Sequence, residues 1–207
     1  MMSAPALAES GAELQRMGAT DTARELATVE RLGPQVLEFI DQSDRAARAG
    51  TDQSKTLRPT FDAIYGPLNA VHAGRSSRLE RMAREVMDAD GDLEALYETR
   101  EWKDSQRVAA EALYYLNWLN YYGARLYEGE RRKDLLEAAE RGFSEFAVGE
   151  RKTDLLTESL LGRALCHLEL GNYDWSVRDF DIVLKEPTAS AERKAKARLG
   201  RLEALAR

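Results

Sequence analysis

Apolar residues recur at helical spacing along most of the chain, and the clearest such run lies between residues 155 and 187. A first predicted helix carries one apolar face with residues four positions apart: Leu156, Leu160, Ala164 and Leu168. Gly171-Asn172 breaks this pattern, and a second helical run continues until Pro187 stops it. A helical hairpin cannot bury both of its faces alone, so we expect it to stack on neighbouring helices, as in an α-solenoid.

The residues around the turn of this hairpin resemble those of the tetratricopeptide repeat family. Gly171-Asn172-Tyr173, Phe180 and Pro187 stand where that family places its turn glycine, a tyrosine, the large side chain of the second helix and a closing proline. Two small residues that let the helices approach each other also fit the family: Ala164 and Ser176. The tryptophan and the Leu-Gly pair of the family's first helix are missing, since Leu160, Arg163 and Ala164 stand there. The resemblance implies an all-α fold, a tetratricopeptide-like helical-hairpin α-solenoid, over about residues 108 to 207.

The segment from residue 108 to residue 147 repeats this architecture. We predict a long helix from Val108 to Tyr127, a turn at Gly129 and a second helix behind the turn. The second helix carries an apolar set that includes Leu135, Leu136, Ala139, Phe143 and Phe146. Gly129 and Gly171 are 42 residues apart. This exceeds the roughly 34 residues of the tetratricopeptide repeat and predicts longer helices.

Residues 190 to 207 supply one more predicted helix. Its apolar face consists of four residues: Ala191, Ala195, Leu199 and Leu202. We expect this face to cover the last hairpin, because the terminal repeat of a solenoid has to cap the stack. A second interpretation stays open, in which the chain is cut from a longer repeat protein.

Residues 11 to 92 form a less regular N-terminal helical region, and we expect disorder over residues 1 to 10, which are terminal, small and polar. The tetratricopeptide-like repeats then occupy residues 93 to 207. Within the N-terminal region, two Gly-Pro pairs and one polar linker should break the helices: Gly33-Pro34, Gly66-Pro67 and Gly50 to Lys55. The predicted helices are residues 21–32, residues 34–49, a helix from about residue 59, and residues 77–87.

The predicted helix from residue 108 to residue 127 is apolar on two sides. One stripe consists of Val108, Ala112, Tyr115, Leu119, Tyr122 and Leu126. A second stripe, offset by roughly 100°, consists of Tyr114, Trp118, Tyr121 and Arg125. Two interpretations are open: the N-terminal helices cover the second stripe, or it lines a groove. The groove is what the resemblance implies for the second interpretation, since the related folds usually bind peptides on the concave face built by their first helices.

Two asparagines, Asn117 and Asn120, lie beside the second stripe and share a helical face because they are three residues apart. Their amides could pair with a peptide backbone, and Arg125 could pair with a carboxylate. With Trp118 and Tyr121 as apolar anchors, these five residues are the predicted site for a peptide or partner protein. In the alternative interpretation, both asparagines hydrogen-bond to adjacent helices.

Charge and hydropathy exclude several classes of partner. A formal charge of −6 and a pI near 5.2 would repel a phosphate backbone, so we expect no nucleic-acid partner. No apolar run is long enough to insert in a membrane, and the N-terminus lacks the features of a secretory signal, which predicts a cytoplasmic protein. A signal removed before residue 1 would leave no trace. The last helix is basic, with Arg193, Lys194, Lys196, Arg198 and Arg201. These cations form either a solvated face or a contact with an acidic partner or the next repeat.

An aspartate-rich break is the one candidate metal site. Asp88, Asp90 and Asp92 occupy the first, third and fifth positions of a calcium loop. The glycine and the final glutamate of such a loop are replaced by Leu93 and Thr99. We therefore predict no metal, with Asp92 capping the next helix instead.

Candidate catalytic groups are equally few. Cys166, the single cysteine, lies in an apolar helix and is predicted to be a buried thiol. His167 adjoins it, but neighbouring side chains on a helix point about 100° apart and form no nucleophile-base pair. The other histidine is His72, and no phosphate loop or hydrolase motif occurs. We expect neither an enzyme nor a cofactor.

Two functions follow from this pattern. The first is a protein-interaction module, an adaptor or scaffold whose groove holds a peptide or a partner helix. The second is a structural or assembly subunit, in which the repeats and the basic last helix stack on another copy, as a homo-oligomer, or on the rest of a longer chain.

Overall fold

The computed structural model describes residues 4–52, 54–147 and 154–207, with side chains from Asp21 onward except that of Asp154. These ranges contain only helices, turns and connecting segments, which confirms the all-α prediction. The α-helices are α1 (Ala4–Ala49), α2 (Ser54–Asp88), α3 (Leu93–Glu98), α4 (Arg100–Gly123), α5 (Gly129–Ala147), α6 (Asp154–Glu169), α7 (Tyr173–Lys185) and α8 (Ala191–Ala206), and a 3-10 turn, Ala124–Leu126, follows α4.

Helices α1 and α2 are longer than the sequence predicted, because neither Gly-Pro pair ends a helix. A proline inside a helix removes one backbone hydrogen bond and costs roughly 3 kcal/mol. Pro34 and Pro67 both lie on exposed faces, where water can hydrate the carbonyl that loses its partner. Buried side chains continue on the other face across each pair, as Leu32, Val36 and Leu68 show, so packing offsets the cost.

The ends of the first two helices follow the turn residues of the sequence. Gly50 ends α1 with a φ of 64°, and the amide of Thr51 donates to the carbonyl of Ala46 at 3.1 Å, which is the hydrogen bond of a Schellman cap. Helix α2 begins at Ser54, so the connection is shorter than the predicted linker. Asp92 caps α3, since its carboxylate accepts from the amide of Glu94 at 2.8 Å, and this confirms its predicted role.

The chain divides into two compact units, and each takes part of α1, α2 and α4. Unit 1 comprises Met1–Gln35 and Ile64–Leu113, and unit 2 comprises Val36–Ala63 and Tyr114–Arg207. This division differs from the predicted boundary at residue 92, because α1 and α2 supply both units with apolar side chains. Helix α1 begins at Ala4, where we expected disorder up to about residue 10, and residues 1–3 lie outside the described part.

Unit 1 is built around a buried arginine. The side chain of Arg75 on α2 is almost inaccessible. It forms an ion pair with Glu25 of α1, and its Nη1 donates to the hydroxyl of Ser105 on α4 at 3.3 Å. The same three helices also bury apolar residues within this unit: Val29, Leu32, Leu68, Val71, Val108 and Ala109. A buried charge needs such partners, so Arg75 links three helices at one point.

Unit 2 contains the hairpin that the sequence predicted between residues 155 and 187. Helices α6 and α7 pack on each other, and Gly171 makes the turn between them with a φ of 81°. Ala164 and Ser176 are fully buried where the helices meet, and the hydroxyl of Ser176 donates to the carbonyl of Ala164 at 2.9 Å. Phe180 is fully buried. The small and large positions of the hairpin are therefore confirmed.

Glycines mark the points at which successive helices of unit 2 approach most closely. A Cβ at Gly162 of α6 would overlap the ring of Phe143 from α5, and a Cβ at Gly200 of α8 would overlap the ring of Phe180 from α7. Each of these crossings places one phenylalanine against one glycine. The interior is close-packed, so a larger residue at either glycine would push the helices apart.

Helix α8 packs through a face that the sequence did not predict. The predicted face is exposed at every position: Ala191, Ala195, Leu199 and Leu202. Ala197, Gly200 and Ala204 are buried instead. The reason is steric. Helix α8 lies so close to Phe180 that only small residues fit between the two helices, and leucine does not.

Candidate functional site

The predicted binding residues on α4 lie mostly inside unit 2. Asn117, Asn120 and Tyr121 are buried, and Trp118 is half-buried. Only Arg125, at the 3-10 turn that follows α4, is exposed. Asn117, Asn120 and Tyr121 therefore do not form an exposed groove.

Asn117 is buried because α5 crosses α4 at a glycine. A Cβ at Gly142 would overlap the amide of Asn117, and this side chain keeps only 1% of its accessible surface. Neither amide atom of Asn117 has a hydrogen-bond partner among the described residues. The alternative prediction for Asn117, a hydrogen bond to an adjacent helix, is therefore not met either. A buried amide contributes favourably only when it is hydrogen-bonded, so Asn117 owes its position to packing against Gly142.

The second stripe of α4 is covered by other elements of unit 2. The indole of Trp118 packs edge-on against Phe143 of α5, with 4.9 Å between the ring centroids. The phenol of Tyr114 donates to Glu158 of α6 at 2.8 Å. Arg125 pairs with Asp44 of α1 at 3.2 Å. Helices α5 and α6 therefore cover Trp118 and Tyr114, whereas the sequence analysis offered the N-terminal helices for this role; of those helices, α1 contacts the stripe at Arg125.

Burial also fixes the ionisation of two tyrosines in this stretch. Burial raises the pKa of Tyr121 to about 12. Burial and the nearby carboxylate of Asp44 raise the pKa of Tyr122, whose hydroxyl donates to that carboxylate at 3.1 Å. Both phenols therefore stay protonated at neutral pH and act as hydrogen-bonding groups inside the unit.

An open groove lies on another face of unit 2, over helix α6. Its volume is about 790 Å³. Helix α5 forms one wall, α7 begins the other, and α6 with its C-terminal turn forms the floor. The lining residues are Lys133, Glu137, Glu140, Arg141, Arg163, His167, Leu170, Asn172 and Trp175. We call this cavity the α6 groove.

The floor of the α6 groove contains an ion pair and a half-buried imidazole. The guanidinium of Arg163 donates to both oxygens of Asp179 on α7, at 2.7 and 2.8 Å. This hydrogen bonding raises the pKa of Arg163. Nε2 of His167 lies 3.9 Å from a carboxylate oxygen of Glu140, and its Nδ1 has no partner among the described residues. Burial lowers the pKa of His167, so the neutral ring is favoured.

Trp175 forms the rim of the α6 groove and is the most exposed aromatic residue of unit 2, with 58% of its surface accessible. The guanidinium of Arg178 stacks on its ring at 4.9 Å, and the His167 ring lies 6.4 Å away on the floor. A large exposed aromatic beside a polar groove is typical of a binding surface.

Sequence reasoning missed the α6 groove. The predicted hairpin gave Phe180 of α7 a role as the large side chain of the second helix and left Trp175 without a role. The signal in the sequence was the position of Trp175. It lies on a different side of α7 from Phe180, where a side chain of its size has no helix to pack against. Most of the remaining lining residues are charged side chains of a kind common on helix surfaces, and they gave no signal.

Cys166 takes no part in the α6 groove. The thiol is fully buried, as predicted, and burial raises its pKa well above the usual range. It stays protonated and unreactive. Within the described ranges, no three histidine, cysteine, aspartate or glutamate side chains come together as metal ligands would.

Comparison of the chain with protein-family models, with curated proteins and with solved structures finds no match. In the part of the chain that the structure describes, no helix combines the length and the apolar character needed to span a membrane.

Proposed function

We propose that this chain is a protein-interaction module with a tetratricopeptide-like α-solenoid in its C-terminal half, and that it holds a segment of a partner protein in the α6 groove. The observation that carries the proposal is the exposed indole of Trp175 at the rim, stacked by Arg178. The role is non-catalytic and needs no cofactor.

The packing of unit 2 supports a solenoid of this kind. Helices α5, α6, α7 and α8 each contact the next one in chain order, and α6 also contacts α8. Turn glycines with positive φ separate the helices of both proposed hairpins, at Gly129 and Gly171. Helices stacked in sequence order produce long surface grooves, and repeat proteins commonly use these grooves for binding.

The chemistry of the α6 groove suits an extended polypeptide better than a small molecule. The groove is open and carries both signs of charge, with Lys133 and Glu137 paired at 3.6 Å on one wall. A flat indole at the rim offers a place to bury one apolar side chain of a partner. Arg141 and His167 lie along the groove as polar groups that could orient the bound backbone.

Photo-crosslinking would test the proposal directly. The full chain would carry a benzophenone amino acid in place of Trp175 and would be irradiated in an extract of its own cells. We expect a discrete protein adduct whose crosslink maps to one short segment of the partner. The control is the same amino acid in place of Met87, which is equally exposed but lies in unit 1.

A pair of alanine variants on α7 would separate the α6 groove from the rest of the surface. Trp175→Ala should reduce recovery of that partner at least tenfold, while Ile182→Ala should leave recovery unchanged, because Ile182 is exposed on the same helix but does not line the groove. A factor of ten corresponds to about 1.4 kcal/mol, which is within the range of one aromatic anchor. Equal recovery by both variants would show that the groove is not the binding site.

A further inference from the structure

Helix α8 is apolar on two opposite faces, and in the described part of the chain only one of them is buried. The inner face consists of small residues, Ala197, Gly200 and Ala204, which pack over Phe180 of α7. A helix that is apolar on opposite sides is normally packed between two others. The outer face has no helix packed on it among the described residues.

Three leucines form the outer face of α8. Leu199, Leu202 and Leu205 are 70%, 63% and 58% exposed. They are three residues apart, so their side chains form one row along the helix. Exposed leucines in a row mark an interaction site, since single exposed apolar residues are common but contiguous ones are not.

The charges of α8 show what kind of partner this row fits. The helix carries five basic and two acidic residues, in a chain whose net charge is −6. Three of the basic residues pair with carboxylates of the chain, at 2.6 to 3.4 Å: Arg193 with Glu158, Lys196 with Glu192, and Arg201 with Asp181.

The other two basic residues, Lys194 and Arg198, have no ion pair among the described residues. They are four residues apart, and Arg198 is four residues before Leu202, so they lie along one edge of the leucine row. The outer face of α8 is therefore an apolar row with two unpaired cations on one side.

We propose that the outer face of α8 binds an amphipathic helix of a partner protein that carries leucine-like residues on one face and carboxylates along the adjoining edge. The apolar residues of the partner helix bury the leucine row, and its carboxylates pair with Lys194 and Arg198. Helix α8 contributes no residue to the α6 groove, so this surface is a second interface of unit 2.

A second copy of the chain fits the same face less well. If two α8 helices packed antiparallel about a two-fold axis, the same edge of each helix would meet, because such an interface is isologous. That edge of α8 carries Lys194 and Arg198 and no carboxylate, so a second copy would offer neither cation a counter-charge. An acidic partner helix meets the same leucines and also pairs both cations.

The test uses the full chain and two synthetic helical peptides. Both peptides carry leucines on one face, and the edges of the leucine row are glutamates in one peptide and lysines in the other. Calorimetry should show binding of the glutamate peptide and about tenfold or more weaker binding of the lysine peptide, a difference of about 1.4 kcal/mol. High salt should reduce the preference.

Variants of α8 make the test specific. Lys194→Glu with Arg198→Glu should reverse the preference, so that the lysine peptide binds more tightly. The matched control, Lys196→Glu with Arg207→Glu, changes the charge equally on the opposite edge and should leave the preference unchanged. Leu199→Gln with Leu202→Gln should abolish binding of both peptides, whereas Trp175→Ala, in the α6 groove, should have no effect. Circular dichroism would check that each variant keeps its helices.

Four results would overturn the proposal. Equal affinity for the two peptides would show that charge complementarity does not select the partner. No affinity for either peptide would show that the outer face of α8 does not bind such a helix. Failure of the reversed variant to change its preference would show that Lys194 and Arg198 are not contacts. A dimer in light scattering that the double leucine variant converts to a monomer would assign the face to a second copy instead.

Discussion

Helices α4 and α8 of unit 2 show opposite relations between polarity and burial. Helix α4 buries two asparagines, Asn117 and Asn120, while α8 exposes three leucines around Leu202. In both helices, the size of the residue at the crossing decides the outcome. Asn117 packs directly against Gly142 of α5, and Phe180 of α7 packs directly against Gly200 of α8. Close approach between helices can therefore outweigh the polarity of a side chain in deciding whether it is buried. Helix α4 then keeps amides in the interior, and helix α8 keeps leucines in water, and both placements are unfavourable in free energy.

The largest effect should come from the crossing of α7 and α8. Phe180→Ala should lower the free energy of unfolding by roughly 3 to 5 kcal/mol, because it removes a buried ring and leaves a cavity beside Gly200. Leu202→Ala should change it by less than about 0.5 kcal/mol, because that side chain is exposed. Thermal and urea unfolding would measure both values, and similar losses would contradict the assignment of the two faces of α8.

The crossing of α4 and α5 should respond to a single added methyl group. Gly142→Ala should destabilise the chain by about 1 to 3 kcal/mol, since the Cβ overlaps the amide of Asn117. Gly74→Ala is the matched control: its Cβ would lie 3.9 Å from the nearest atom outside its own helix turn. The control should stabilise helix α2 by about 0.5 to 1 kcal/mol. If both variants are stabilised, α5 does not approach α4 as closely as the structure indicates.

The buried amide of Asn117 should be replaceable by an apolar side chain of similar shape. Asn117→Leu should raise the free energy of unfolding by about 1 kcal/mol, because it removes two polar groups that have no partner among the described residues. Urea unfolding gives the sign. A loss of stability would mean that the amide has a hydrogen-bond partner, and Asn117→Asp would then distinguish a donor from an acceptor as that partner.

The smallest effect concerns the floor of the α6 groove. Burial lowers the pKa of His167 below its usual value, so near pH 6.5 the unfolded chain binds a proton more readily than the folded chain. Stability that is present above this pH should therefore be lost as the pH falls through the lowered folded-state value. The comparison is between the wild type and His167→Gln from pH 7.5 to 5.5. Parallel curves for the two proteins would show that His167 does not titrate differently on folding.

Periodicity and turn residues predicted the elements of the C-terminal half well. Local patterns were sufficient for the hairpin of α6 and α7, for the turn at Gly171 and for the burial of Phe180. These features depend on residues close together in the sequence and little on the helices packed around them. The same local reasoning failed at Gly33-Pro34, because the prolines of α1 and α2 lie on exposed faces. Whether a proline breaks a helix depends on the packing of the opposite face, which the local pattern does not contain.

The sequence by itself determined that this chain is helical, where most of its turns lie, and which positions on each helix are apolar. Only the tertiary structure decided which apolar or polar face is buried. Asn117 and Leu202 illustrate the reason: burial depends on how closely two helices approach, and that distance is set by the pair of residues at the crossing. One member of each pair lies on another helix, so no single helical pattern specifies the outcome.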